Sequence, residues 1–171
     1  MIAKWLRESN VAAILLVVLR VYVGWAWLKA GWGKATTEGG YSAAGFITRV
    51  AEAPVMKGED MIYPTYTWFL NSIVIDMNMT GLFSFLVAYG EVLVGLGLIL
   101  GGLTCWAAFF GMVMNFAFMF AGTISTNPWN VLCEMPILFA GYNAGKYGLD
   151  YFIYPYVTKL FKRNKGGSVS A

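Results

Sequence analysis

The chain has 171 residues, of which 58% are hydrophobic and 12% charged, with a formal net charge of +3 and a positive mean hydropathy. That is too apolar for a soluble domain of this length, so the residues have to be read against a bilayer. With no histidine and two cysteines, Cys105 and Cys133, the usual ligand sets for zinc, His-ligated haem and iron-sulfur clusters are excluded. No metal is expected, and any redox group is a dissociable carrier or belongs to a partner.

Four segments approach the roughly 20 apolar residues that a helix needs to cross a hydrocarbon core. They fall at about 11–29, 81–100, 104–122 and 131–149, within a single membrane domain over 1–150. The fold class expected is an all-α integral membrane protein, a four-helix bundle. Lys4 and Arg7 precede the first segment as in a leader, but Arg20 interrupts the run and no small-x-small cleavage site follows, so it reads as a retained span.

The flanking charges set an expected orientation. Lys4, Arg7, Lys146, Lys159, Lys162, Arg163 and Lys165 share the side of the termini, while Lys29, Lys34, Arg49 and Lys57 on the other side are diluted by Glu38, Glu52, Glu59, Asp60 and Asp76. The positive-inside rule then puts both termini in the cytoplasm of a prokaryotic cell and the 35–80 connection outside. Within that connection, Ser42 can cap a short helix reaching Val50. A second piece starts at Pro64 and carries Tyr63, Tyr66, Trp68 and Phe69. These aromatics suit either a lid on the outer mouth or an interfacial belt. Residues 151–171 read as an interfacial anchor, with Tyr151, Tyr154 and Tyr156, followed by a basic disordered tail.

Polar residues inside the spans carry the functional reading, because an ionisable group at that depth is expensive and a functional candidate by default. Arg20 and Glu91 lie about nine and ten residues into the first and second spans, close to the midplane, so an Arg20–Glu91 ion pair is expected. It either fixes helix register alone or also serves catalysis. Gly24, Trp27 and Gly31 follow Arg20 at helical spacing on one face. Asn115 stands in the middle of the third span beside Met and Phe side chains, Met119 among them, which either pack or line a slot for a quinone ring. Glu134 and Cys133 begin the fourth span. Cys133 is either a reactive thiol or a small buried hydrophobe. At the outer mouth, Lys29, Lys34 and Arg49 surround Trp32 and could hold a small dianion, the two lysines otherwise being snorkelling anchors.

The run Arg20, Gly24-Trp25, Trp27, Gly31 and Lys34, with Glu91, Gly95, Gly97 and Gly101 after a long connection, resembles the DoxX/DoxD family of four-helix membrane proteins. The likeness is closest to DoxD, taken as the large membrane-spanning subunit of thiosulfate:quinone oxidoreductase. The resemblance implies oxidation of thiosulfate to tetrathionate with reduction of a dissociable membrane quinone, and a DoxA-like partner subunit. It carries over Arg20, Trp27, Lys34 and Glu91. The alternatives are a DoxX-type subunit that docks a redox or stress-response partner without catalysis, and a small-solute transporter, which the lack of an internal repeat disfavours. No nucleic acid is expected, and a homo-oligomer is open.

Overall fold

The computed structural model describes residues 1–156, about three-quarters of which are helical. The basic tail expected beyond them lies outside the described residues. A short helix α1 (Ile2–Glu8) ends at Ser9, whose extended backbone breaks the helix and whose Oγ accepts from the Ala12 amide at 3.4 Å, capping α2 (Asn10–Ala35). At 26 residues α2 is about 39 Å long, well beyond the 30 Å hydrocarbon thickness that places its expected end near Lys29.

The connection that follows folds back on the bundle. It comprises α3 (Ala44–Glu52), a two-residue hairpin of β1 (Met56–Lys57) and β2 (Asp60–Met61), and α4 (Pro64–Phe69), which continues as a π-helical turn over Leu70–Ile75. α3 and the π-turn share their own apolar core, with Ile47 and Val50 against Leu70 and Val74. That core rests on Phe83 of α5 and Ala121 beyond α6. Trp68 alone of the four aromatics projects outward strongly, 59% exposed, while Tyr66 and Phe69 turn inward.

α5 (Thr80–Leu100) ends at Gly101, whose φ of +65° is the left-handed conformation that closes a helix at little cost only for glycine. The chain reverses at once into α6 (Thr104–Phe120). α6 has no cap of its own. Its first amides, those of Leu103 and Thr104, donate to the Asp150 carboxylate at 2.6 and 3.0 Å, so a residue beyond both of the helices that follow it in the chain caps it.

The fourth element departs from the expected 131–149 span. α7 (Asn127–Ala140) starts earlier, with Pro128 in its first turn, and stops at Gly141, whose φ of +59° breaks it. A single turn, α8 (Tyr142–Gly145), follows, and residues 150–156 are helical again.

α2 packs against α5 and α7, and α6 against α5 and α7, so the four long helices form a ring. The protein is all-α, and two of its helices, α2 and α5, are long and apolar enough to cross a bilayer; α6 is apolar but shorter. α2 and α5 approach closely because Gly24, Gly31 and Gly95 lie at their crossing. A Cβ on Gly31 would sit 2.6 Å from the Val92 amide nitrogen, and one on Gly95 2.5 Å from that of Leu28.

Candidate functional site

α2 positions the polar groups. Arg20, Trp27 and Lys34 recur every seven residues, so they form one stripe down the buried face of the helix, spanning about 21 Å. Gly24 and Gly31 occupy the same face between them and let the neighbouring helices approach the three long side chains. Each member of the stripe meets a different element.

Nearest the connection, Lys34 Nζ lies 2.6 Å from Glu91 Oε2 on α5. Glu91 is 2% exposed and the lysine side chain 27%, so the charge is sunk on one side and open to its surroundings on the other. Tyr41 lies over the pair, its ring centroid 5.9 Å from Nζ. Burial, and then the Glu91 carboxylate, push the Tyr41 phenol above its ordinary range. The Ala43 amide donates to Ser84 Oγ on α5 at 2.8 Å, fastening the start of α3 beside the pair.

In the middle of the stripe, Trp27 Nε1 donates to Glu134 Oε1 at 2.7 Å, and Asn115 Nδ2 donates to Glu134 Oε2 at 2.9 Å. All three side chains are buried, Glu134 and Asn115 completely. Gly111, one turn before Asn115, makes the room. A Cβ there would run into Glu134 Oε1 and come within 3.1 Å of Trp27 Nε1.

At the far end, Arg20 Nη2 donates to the Tyr147 carbonyl at 2.5 Å. The guanidinium fits between Gly101 and Gly148, where a Cβ on either would strike Nη1, and the acid whose field reaches it is Asp150.

The expected Arg20–Glu91 pair therefore does not form. In the antiparallel packing Gly31 meets Val92, Leu28 meets Gly95 and Arg20 meets Gly101. Glu91 is thus level with the region of Trp32, roughly twelve residues or 18 Å along α2 from Arg20. The depth estimate failed because α2 runs on to Ala35 and its register against α5 is shifted.

The outer cations are not gathered into one pocket either. Lys29 and Lys34 are five residues apart, about 140° around a helix, and Lys29 is exposed while Lys34 turns inward. Trp32 is 62% exposed. Arg49 is exposed on α3, its guanidinium 5.4 Å from the Phe46 ring. Cys133 is buried in the apolar core beside Ile137 and Trp27, and both cysteines are free. Met119 lies half-buried one turn beyond Asn115.

Sequence reasoning missed Gly111, Tyr41 and Asp150 as parts of these sites. Gly111 had a signal, standing one helical step before Asn115. Asp150 had none, because its partners are about 46 residues away. Between α5 and α6 runs an apolar groove of about 760 Å³, lined along its length by Phe83, Leu86, Leu93, Leu100, Trp106 and Phe110. Val94 and Met114 form its inner wall, and Val94 also reaches the space beside Gly111, so the groove backs onto the Trp27–Asn115–Glu134 cluster.

A helical protein with two long apolar helices and two buried carboxyls, each held by a residue of the same helix, defines a membrane protein with a polar interior. Residues 15–166 match the family model described as "TQO small subunit DoxD", and the chain belongs to the DoxD family. That description corrects the expectation of a large subunit. No curated protein and no solved structure matches the chain.

Proposed function

We propose that this chain is the quinone-reducing membrane subunit of a thiosulfate:quinone oxidoreductase. The observation that carries the reading is the family match over residues 15–166 joined to a groove that suits a lipid-soluble carrier: it is apolar, extends along α5 and α6, and backs onto a buried acid. Two thiosulfate dianions joining through a new S–S bond give tetrathionate and two electrons, and a quinone takes up two electrons and two protons to become a quinol. The tail of the quinone lies in the α5–α6 groove. Met114 yields to let the ring approach Asn115, and Glu134 and Glu91 take part in proton traffic. Arg20 and Trp27 act by holding this interior in place.

The sulfur anion is assigned to a partner subunit. On the 36–79 connection Glu38, Glu52, Glu59, Asp60 and Asp76 are all exposed, against the two cations Arg49 and Lys57, and Lys34 is engaged by Glu91. A dianion is repelled by that face, which suits a basic partner better. α6 and α7 are proposed to lie within the membrane with α2 and α5, since they pack against them in the ring. Lys4, Arg7 and Lys146 support an orientation with both termini in the cytoplasm.

The test is purified protein in lipid with a quinone and thiosulfate, with and without its partner subunit, following quinol formation. Thiosulfate-dependent quinol is expected when the partner is present. No quinol under either condition overturns the enzymatic reading and leaves the docking subunit, which the acidic loop face favours.

A further inference from the structure

The bundle buries two glutamates, and their surroundings differ in one respect. Glu91 has a cation at 2.6 Å. Among the described residues Glu134, fully buried, is held only by neutral donors, the Trp27 indole and the Asn115 amide. α1 packs against the C-terminal end of α7 and carries Lys4, Arg7 and Glu8; there Arg7 Nε donates to the Phe139 carbonyl, and Lys4 lies 4.0 Å from Glu8. α6 and α7 carry no charged residue except Glu134 itself, and α5 carries Glu91 alone. On α2, Arg20 and Lys34 are each seven residues, about 10 Å, from Trp27, and each is bound elsewhere. Lys29 is on the exposed side. The titratable neighbour is the Cys133 thiol, on the same helix and itself in the apolar core.

An ionised carboxylate buried without a counter-charge is among the costliest arrangements in a protein, whereas a neutral carboxyl with hydrogen-bond partners is tolerated. We propose that Glu134 is a proton-binding site, its carboxyl held uncharged between Trp27 and Asn115, while Glu91 remains the charged partner of Lys34. In this arrangement one oxygen accepts from Trp27. The other carries the proton, and a half-turn of the Asn115 amide presents to it Oδ1, which has no other donor among the described residues. Gly111 is required because the carboxyl fills the space its missing Cβ leaves. The inference stands on this geometry and not on the quinone reading.

Infrared spectroscopy of the whole protein in lipid at neutral pH reads the site directly. A carbonyl band of a protonated carboxyl is expected in the wild type, shifted by carboxyl-labelled glutamate, absent in Glu134→Gln and retained in Glu91→Gln. No such band, or one that survives Glu134→Gln or vanishes in Glu91→Gln, overturns the proposal. Should Glu134→Gln not fold, Trp27→Phe provides the second reading. Removing the indole donor must move the band of a Glu134 carboxyl, and an unmoved band likewise overturns the proposal.

Discussion

Trp27 is the residue on which the interior depends most, since its indole supplies one of the two hydrogen bonds to a fully buried carboxyl. Trp27→Phe keeps most of the ring volume but leaves Glu134 Oε1 without its donor, so a loss of about 1–3 kcal/mol in unfolding stability is expected in detergent denaturation. Gly111→Ala should cost at least as much, because the new methyl collides with the same oxygen and separates α6 from α7. The Lys34–Glu91 pair gives a second contrast. Lys34→Ala leaves a 2%-exposed carboxylate with no cation and should destabilise by on the order of 3 kcal/mol, somewhat offset by the exposure of the lysine end. The exchange Lys34→Glu with Glu91→Lys should recover part of that loss. The exchange Arg20→Glu with Glu91→Arg should recover none, because those residues lie far apart along α2. Equal rescue by both exchanges would contradict the register described here.

At the scale of elements, the crossing of α2 and α5 rests on glycine. Gly95→Ala would press a methyl into the Leu28 backbone, and backbone cannot swing aside as a side chain does, so the two helices must separate. Gly33→Ala on α2 is the control, since nothing lies within 4 Å of its Cβ position; it should be neutral or stabilising by up to about 1 kcal/mol through helix propensity. Thermal unfolding of the two variants side by side checks this, and a comparable loss in both would argue against the close crossing. The elements also show what was legible in the sequence. The stripe of Arg20, Gly24, Trp27 and Gly31 could be read from spacing alone, because helical periodicity fixes which residues share a face. The partners across that face could not, since they depend on where α2 ends, and hydropathy places an end near the first snorkelling lysine while the helix continues through Lys34 to Ala35. Likewise Gly141 and Pro136 lie inside an apolar run long enough for one span, and only the left-handed backbone at Gly141 shows that the helix stops there.

For the molecule as a whole, the DoxD membership was legible in the sequence, whereas the proposed division of labour between this chain and a partner comes from the structure. The spacing of Lys29, Lys34 and Arg49 suggests an anion pocket on this chain. Once Lys34 is tied to Glu91 and Lys29 faces away, the connection presents chiefly acids, and the apolar groove between α5 and α6 becomes the better-built feature. Gly90 lines that groove, and a Cβ added there meets only the flexible Met114 thioether, at 3.5 Å from its Sδ. The central claim, that this groove takes the tail of a quinone reduced at thiosulfate's expense, is tested most directly by steady-state kinetics of the assembled protein and its Gly90→Phe variant with long-tailed and tailless quinones. The account predicts thiosulfate-dependent turnover in the wild type and, in the variant, a KM at least about tenfold higher for the long-tailed quinone, roughly 1.4 kcal/mol of lost binding, with the tailless KM unchanged. An unchanged KM for the long-tailed quinone, or an equal rise for both, would contradict it.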